Sequence, residues 1–274
     1  MSKYSGREGA VTLATILRRK GDGRKLSMVT CYDAAFARLV DLSGVDMVLV
    51  GDSLGNVMLG HDSTIPVRLD DMIHHSAAVA RVLTRAFLVV DMPFMACQVS
   101  VEQALTNCAR VMQEGGAQAV KIEGGGAVLP QIRALVAAGI PVMGHLGLTP
   151  QSVHALGGYR VQGRTDAVRR QLLEDAVALE AAGVFSLVLE MVPTDLAAEV
   201  AQKLKIPVIG IGAGAGTDGQ VLVLQDLLGF DESFNPKFLK KYANLGKAVR
   251  DALDAFDRDV KSGAFPDASH SFAE

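Results

Sequence analysis

Short apolar segments alternate with longer amphipathic segments along most of the chain. Eight apolar segments predict strands, near residues 26–31, 46–51, 87–91, 119–123, 141–145, 185–190, 207–211 and 220–225. Helical patterns lie between most of them, at 33–42, 69–84, 100–114, 127–138, 166–182 and 194–204, with further helices at 10–20 and 236–260. The strand segments are continuously apolar rather than alternating, which is typical of a parallel sheet covered on both faces.

Eight strands in roughly 250 residues of strand–helix repeats predict a single (β/α)₈ TIM barrel with an extra N-terminal helix. An open doubly wound sheet is the alternative, because strand–helix alternation alone does not decide whether a sheet closes. The strand count favours the barrel, although GAGAGTDG leaves little room for a helix between strands seven and eight. We expect one domain over residues 1–274, with an ordered core at about 10–262 and peripheral ends at 1–9 and 263–274.

Composition and charge exclude several classes of protein. The apolar fraction of 49% is enough for a buried core, and the net charge of −3 is well mixed, which argues against a nucleic-acid surface. No apolar run reaches the roughly 18 residues of a membrane span, and the N-terminus has no apolar segment typical of a secretory signal. Three cysteines without CxxC spacing favour free thiols over a disulfide framework or a zinc site. We therefore expect a cytoplasmic protein that binds neither membrane nor nucleic acid.

Ionisable side chains stand at the carboxyl ends of five consecutive predicted strands. In chain order these are Asp52 (followed by Ser53), Asp91, the pair Lys121 and Glu123, His145, and Glu190. In a parallel barrel these ends meet at one mouth, where the active sites of this fold lie. A single acid after a strand is explained by a helix cap, but five consecutive ends are not.

The residue types at this mouth indicate metal-assisted chemistry. Asp52, Asp91 and Glu123 would repel one another unless protons or a cation intervene, and their oxygens suit Mg²⁺. Lys121 points the same way as Glu123, two residues later, so it either holds a substrate carboxylate or pairs with the neighbouring acids. Glu190 in an apolar barrel mouth can act as a general base.

The glycine-rich run at 210–216 follows strand seven and fits a dinucleotide fingerprint only loosely. It comes late in the chain, no long helix follows it, and no acid-ended strand lies about 20 residues on. Two interpretations remain open: contact of bare backbone N–H groups with a phosphate or flat ligand, and tight turn geometry.

A serine esterase is a second hypothesis, because GDSLG at 51–55 fits a nucleophile-elbow pattern and DASH at 267–270 offers an acid–histidine pair. The triad would be Ser53, Asp267 and His270. Against it, GDSL belongs to the first strand of such esterases and here follows the second, and the GxND block that would supply oxyanion-hole donors is missing. DASH also lies in a polar tail, which is a poor support for a triad that needs fixed geometry. The esterase hypothesis gives no role to the ionisable residues at the ends of the later strands.

Six segments together resemble the ketopantoate hydroxymethyltransferase family. They are VGDSLGNVMLGHDSTIPV, DMPFM, VKIEGG, GHLGLTPQSVHALGGYRVQGR, ALEAAGVFSLVLEMVP and IPVIGIGAGAGTDGQVLVLQDLLG. The resemblance runs in order from about residue 10 to the closing HSF. The sequence departs from the family pattern at Asn56 and Arg68, in the loop after strand two.

The resemblance implies a barrel of the phosphoenolpyruvate-binding, Mg²⁺-enzyme superfamily. It also implies transfer of a hydroxymethyl group from 5,10-methylenetetrahydrofolate to 3-methyl-2-oxobutanoate, giving ketopantoate and tetrahydrofolate in pantothenate synthesis. Asp52 and Asp91 would bind one Mg²⁺ per subunit, and Glu123 would join through water. A cyclic homo-oligomer, typically a homodecamer, is the expected assembly.

The resemblance also assigns the substrate site, which would comprise Asp52, Ser53, Asp91, Lys121 and His145. Ser53 and Lys121 would hold the carboxylate, and Glu190 would take the proton to give a Mg²⁺-stabilised enolate. For His145 two roles stay open, contact with substrate and ordering of metal-bound water. A Mg²⁺-dependent carbon–carbon lyase or mutase on 2-oxo acids is the alternative reaction, and a barrel that only binds a ligand is the non-catalytic one.

Overall fold

Eight parallel strands close into a barrel in the computed structural model, which describes residues 9–272. The strands are β1 (Leu26–Thr30), β2 (Met47–Val50), β3 (Phe87–Asp91), β4 (Ala119–Glu123), β5 (Val142–Gly147), β6 (Ser186–Glu190), β7 (Val208–Ile211) and β8 (Gly219–Leu222). The ring closes where β1 pairs with β8, with Leu26 opposite Gly219 and Met28 opposite Val221. The predicted barrel is confirmed and the open sheet is excluded.

Helices follow most strands, and one precedes the barrel as the sequence predicts. They are α1 (Leu13–Asp22), α2 (Ala34–Leu42), α3 (Leu54–Val57), α4 (Leu69–Ala80), α5 (Val101–Gln113), α6 (Leu129–Ala137), α7 (Asp166–Ala182), α8 (Thr194–Lys203), α9 (Leu224–Leu227) and α10 (Leu245–Ser262). Several begin at a side chain that accepts a backbone N–H of the first turn, among them Thr12, Asp33, Ser100 and Thr165. Local capping therefore sets these boundaries.

Alternate residues along each strand face the barrel interior, and these side chains are apolar at one end of the barrel and polar at the other. At the amino-terminal end the inward residues are apolar and buried, including Met47, Phe87, Ala119, Met143 and Phe185. The Phe87 and Phe185 rings meet edge to face with centroids 5.9 Å apart. Ile16 of α1 belongs to the same cluster, so this end of the barrel is filled with hydrocarbon.

The same alternation carries polar groups to the other end. On β4, Ala119 of the core is followed at two-residue steps by Lys121 and Glu123, and on β3 the step from Val89 leads to Asp91. The strand pairing places Asp91 opposite Lys121. One periodic pattern thus builds both the apolar core and the polar mouth.

One helix boundary and two short helices differ from the sequence expectation. The predicted helix at 236–260 is wrong at its start: α10 begins at Leu245, because the Asn244 side chain caps it by accepting the Lys247 N–H at 3.3 Å. The short α3 and α9 were not predicted, since four residues are too few to show a helical period. Between β7 and β8 the described chain contains no helix, as the spacing indicates.

The chain divides into two compact units, one ending at Val223 and one beginning at Leu224. The first unit holds the complete barrel. The second contains α9 and α10, and backbone bonds such as Tyr242 N–H to Leu227 O at 2.8 Å join its segments. A single domain over 1–274 stays a prediction. The expected peripheral end 263–274 carries a short 3₁₀ turn at Ala268–His270, and residues 1–8, 273 and 274 lie outside the described residues.

Helix α10 has no buried residue, and it exposes an apolar stripe formed by Val249, Leu253, Phe256 and Val260. These positions recur every three or four residues and therefore share one face of the helix. The charged side chains of this segment also lie on α10. Across residues 9–272, none of the helices is both long enough and apolar enough to cross a membrane.

Candidate active site

The predicted mouth residues converge and are mostly buried. Exposed fractions are 2% for His145, 3% for Asp91, 4% for Asp52 and Lys121, and 7% for Glu123. Charged side chains are almost never buried to this degree unless they are paired. Glu190 and Ser53 are only partly buried, so they face the accessible part of the mouth.

Lys121 lies at the centre of the network. Its ammonium Nζ is 2.8 Å from Asp91 Oδ1 and 3.1 Å from His145 Nδ1. Burial alone would lower the pKa of Lys121, but the charges of Asp91, Glu123 and Asp52 raise it above its ordinary value. Lys121 is therefore a permanent cation in the site.

His145 bridges the ammonium and the predicted base. Its Nε2 is 3.3 Å from Glu190 Oε2, and its Nδ1 is also 3.2 Å from Glu123 Oε1. Burial and the Lys121 charge lower the pKa of His145, which keeps the imidazole neutral near pH 7. A lysine ammonium only donates, so Nδ1 accepts from Lys121 and the ring proton lies on Nε2, the nitrogen nearer to Glu190.

The three carboxylates share one buried space. Burial is the largest cause of the raised pKa of Asp52, and the charges of Asp91 and Glu123 raise it further. Burial likewise raises the pKa of Glu123 to about 7, against the opposing effect of Lys121. With all three carboxyls ionised, one lysine leaves two uncompensated negative charges, which matches the charge of one divalent cation.

These residues fit a divalent ion of the Mg²⁺ type. Asp52, Asp91 and Glu123 offer hard oxygen donors, as Mg²⁺ requires. Among residues 9–272, no three His, Cys, Asp or Glu side chains form a ready-made metal cage. Mg²⁺ needs no such cage, because it commonly binds through one or two carboxylates and keeps water and substrate oxygens.

Close backbone packing holds Asp52 and Ser53 in place. The Asp52 N–H donates to Asp91 Oδ2 at 3.1 Å, which joins the ends of β2 and β3. A Cβ on Gly51 would lie 2.9 Å from Ser53 Oγ and 3.3 Å from Asp91 Oδ2, so only glycine fits there without displacing these groups. Ser53 Oγ lies 2.8 Å from the hydroxyl of Tyr32.

The backbone at Glu190 is also fixed on both sides. Leu148 N–H donates to Glu190 O at 2.8 Å, and Met191 N–H donates to Ile211 O at 2.8 Å. Met191 has φ of 48°, a left-handed conformation that is rare outside glycine, asparagine and aspartate. A residue held in strained geometry directly after Glu190 is typical of a functional site.

Three residues of this mouth were not predicted from sequence. Gln151 and Tyr32 are 5% and 1% exposed, and Tyr159 lies close enough that Glu190, Asp52 and Glu123 raise its pKa after the larger effect of burial. Tyr32 follows β1 as the acids follow later strands, so its position was a usable signal. Gln151 and Tyr159 lie in the long connection after β5, where no period points to the mouth.

The two other motifs of the sequence each have a local geometry of their own. In the glycine-rich run, Gly212 and Gly214 have φ of 62° and 79°, which agrees with turn geometry. The run borders a cavity of about 420 Å³ with Lys25 and Gly219, residues at the amino-terminal end of the barrel. In the DASH segment, His270 Nδ1 is 2.8 Å from Asp267, and both side chains are more than half exposed, a poor platform for a triad.

A family model described as ketopantoate hydroxymethyltransferase matches residues 10–268. The 3-methyl-2-oxobutanoate hydroxymethyltransferase of Pelobacter propionicus is 56% identical over 262 residues, covering 96% of this chain and 97% of that protein. The enzyme of the same name from Moorella thermoacetica is 55% identical over 262 residues, covering 96% of this chain and 97% of that protein. These relatives span the whole barrel and the site described above.

Solved structures with a similar fold include a phosphonopyruvate hydrolase in complex with oxalate and Mg²⁺. It superposes with a TM-score of 0.60 at 13% identity, covering 98% of this chain and 93% of that one. A 2,3-dimethylmalate lyase, a member of the PEP mutase/isocitrate lyase superfamily, superposes with a TM-score of 0.57 at 16% identity, covering 92% and 88%. At this identity the likeness supports the fold.

Proposed function

The chain belongs to the ketopantoate hydroxymethyltransferase family, and from this premise we propose that it transfers a hydroxymethyl group to 3-methyl-2-oxobutanoate to give ketopantoate. The one-carbon donor is 5,10-methylenetetrahydrofolate, whose methylene carbon becomes the hydroxymethyl group with the uptake of one water, releasing tetrahydrofolate. The observation that carries this proposal is the buried network of Asp52, Asp91, Lys121 and Glu123 beside the partly accessible Glu190.

A single Mg²⁺ would be held by Asp52 and Asp91, with Glu123 joining through water. When bound, the ion would neutralise negative charge that develops on the keto oxygen of the substrate. Ionisation of all three carboxyls beside Lys121 would leave two uncompensated negative charges, which a divalent ion would balance.

Lys121 and Ser53 bind the carboxylate of the oxo acid. Lys121 carries its charge at every physiological pH, and its ammonium is already oriented by Asp91 and His145. The Tyr32 hydroxyl and Ser53 Oγ share a hydrogen bond of 2.8 Å, which would hold the serine hydroxyl at the carboxylate site. Substrate orientation thus depends on groups from β1, β2 and β4.

Glu190 takes the proton from C3 of the oxo acid, next to the keto group. That carbon then attacks the methylene group of the folate. His145 lies beside Glu190, with Nε2 3.3 Å from Glu190 Oε2, and this neighbour would orient the base.

We further propose that the protein acts in the cytoplasm as a homodecamer or another cyclic homo-oligomer. The exposed apolar stripe Val249, Leu253, Phe256 and Val260 supports association, since such stripes are usually covered. Light scattering after size exclusion at micromolar concentration measures the subunit number, and a monomer at that concentration would contradict the proposed assembly.

The test of the reaction follows the C3 proton of 3-methyl-2-oxobutanoate by NMR in D₂O with Mg²⁺. We expect Mg²⁺-dependent loss of the signal, abolished in Glu190→Gln and retained in Glu199→Gln, the same change at an exposed site on α8. Adding 5,10-methylenetetrahydrofolate should then yield ketopantoate.

The same experiment separates the alternatives. Carbon–carbon cleavage of a 2-oxo acid without any folate requirement would favour the lyase or mutase. Ester hydrolysis abolished in His270→Ala would favour the esterase. Exchange and product formation unaffected by Glu190→Gln would refute the assignment of the base.

A further inference from the structure

Gln151 is a buried residue that contacts three strand ends at once. It lies in the connection after β5, and its side-chain Nε2 donates to Asp52 Oδ2 at 2.8 Å and to Met92 O at 2.9 Å. Its backbone N–H donates to Glu123 Oε2 at 3.1 Å. One residue thus joins the carboxyl ends of β2, β3 and β4.

The geometry fixes which way the carboxamide points. Both partners of the side-chain nitrogen, a carboxylate and a backbone carbonyl, are acceptors only, so the NH₂ group must face them and both of its protons are used. The carboxamide is therefore anchored to the main chain of Met92 while it holds one oxygen of Asp52. The other oxygen, Oδ1, keeps its lone pairs for a different partner.

We propose that Gln151 is a positioning residue for the divalent cation, which aims the carboxylates of Asp52 and Glu123 into one coordination space. The inference rests on the proposed function, since it presupposes that these acids hold the ion. Groups that hydrogen-bond metal ligands orient them and raise metal affinity. A neutral donor is required here, because another acid beside Asp52 would add to the negative charge.

A structural role alone would have a different signature. A buried glutamine that merely satisfies its surroundings stabilises the fold without affecting ion binding. The chain supplies a matched comparison in Gln131, which lies on α6 and is 8% exposed. Exchanging either glutamine for methionine keeps the approximate side-chain shape and removes the amide, and at residue 151 the backbone bond to Glu123 is retained.

The experiment measures Mn²⁺ binding to the free enzyme by electron paramagnetic resonance and Mg²⁺ binding by calorimetry. The melting temperature of each variant is recorded as a measure of its stability. Loss of a group that hydrogen-bonds a metal ligand typically weakens metal binding about 10–100-fold. We expect this loss of affinity for Gln151→Met and little change for Gln131→Met. In turnover, the Mg²⁺ concentration for half-activation should rise by the same factor, while kcat at saturating Mg²⁺ stays near wild type.

Wild-type Mn²⁺ affinity in Gln151→Met would overturn the inference, as would an equal loss in the Gln131 variant. If Gln151→Met does not fold, Gln151→Asn is used, which keeps the amide one methylene short and should still weaken binding. Failure of the proposed function would give a different result from failure of this inference. In that case the wild type would bind no Mn²⁺, or Asp52→Asn would bind Mn²⁺ with wild-type affinity.

Discussion

Replacing Lys121 by methionine keeps most of the side-chain hydrocarbon and removes the ammonium that lies 2.8 Å from Asp91. At this distance, the attraction between unit charges is roughly 6 kcal/mol for an effective dielectric constant of about 20. Desolvation of both groups offsets part of it, and removing one partner of a buried pair usually costs about 3–5 kcal/mol. The remaining Asp91 charge would be buried beside two other carboxyls.

We therefore expect Lys121→Met to melt roughly 6–20 °C below wild type in a metal-free buffer, from about 2–4 °C per kcal/mol for a chain of this size. Differential scanning calorimetry at one fixed protein concentration measures this, because assembly makes the melting temperature depend on concentration. The matched control is Lys247→Met on α10, where the lysine and its partner Asp251 are about 60% exposed. That exchange should leave the melting temperature unchanged.

Magnesium supplies the decisive comparison. Without Lys121, three ionised carboxyls face one another, so added Mg²⁺ should raise the melting temperature of Lys121→Met more than that of wild type. The variant should still bind the ion but hold the oxo acid weakly. Equal melting temperatures of variant and wild type without metal, or an equal response to Mg²⁺, would refute the charge reasoning.

Three further predictions concern single contacts. Tyr32→Phe removes the hydroxyl that is hydrogen-bonded to Ser53. Because a neutral hydrogen bond is worth about 0.5–1.5 kcal/mol, the KM for the oxo acid should rise about 2–12-fold while kcat stays nearly unchanged. An unchanged KM would contradict the role given to this bond. Gly51→Ala places a Cβ 2.9 Å from Ser53 Oγ, so calorimetry should show weaker oxo-acid binding, and wild-type affinity would contradict the packing argument. Asp41 accepts backbone N–H groups of residues 84–86, and Asp41→Ala should lower the free energy of unfolding in urea by on the order of 1–3 kcal/mol at pH 7. Burial alone would raise the pKa of Asp41, but the Thr84 hydroxyl and these backbone bonds lower it. The contribution is therefore present above the unfolded pKa of about 3.9 and is lost as the pH falls through the lower folded value. The difference in stability from wild type should close below about pH 4, and a difference that widens in acid would contradict the sign.

The sequence predicted the fold well because its signal is repeated eight times. Each strand is a short apolar run, and errors of a residue or two at one strand do not change the count. The start of α10 was less predictable, because the helical pattern assigned from residue 236 runs past Asn244, the cap at which the helix begins. A single capping bond decides such a boundary, and the residues on either side carry little sign of it.

At the mouth, predictability depended on chemistry as well as position. Acids and lysines at strand ends stand out because charge is rare where burial is expected. Gln151 does not stand out, because a neutral amide is ordinary in a loop, and only the folded contacts of its side chain with Asp52 and Met92 reveal its place. Residues that orient charged groups are therefore harder to find from sequence than the charged groups themselves.

The barrel explains how such an unfavourable site persists. Burying Asp52, Asp91 and Glu123 together opposes folding, as the raised pKa values of Asp52 and Glu123 indicate. The apolar layers directly beneath, built from the same strands at two-residue steps, supply hydrophobic stabilisation that does not depend on the mouth. Because the strands are fixed from below, the carboxylates cannot separate to relieve their repulsion, and a divalent cation held there would, together with Lys121, neutralise them. The charge excess is thus a consequence of the fold, and it would favour a divalent cation at the mouth.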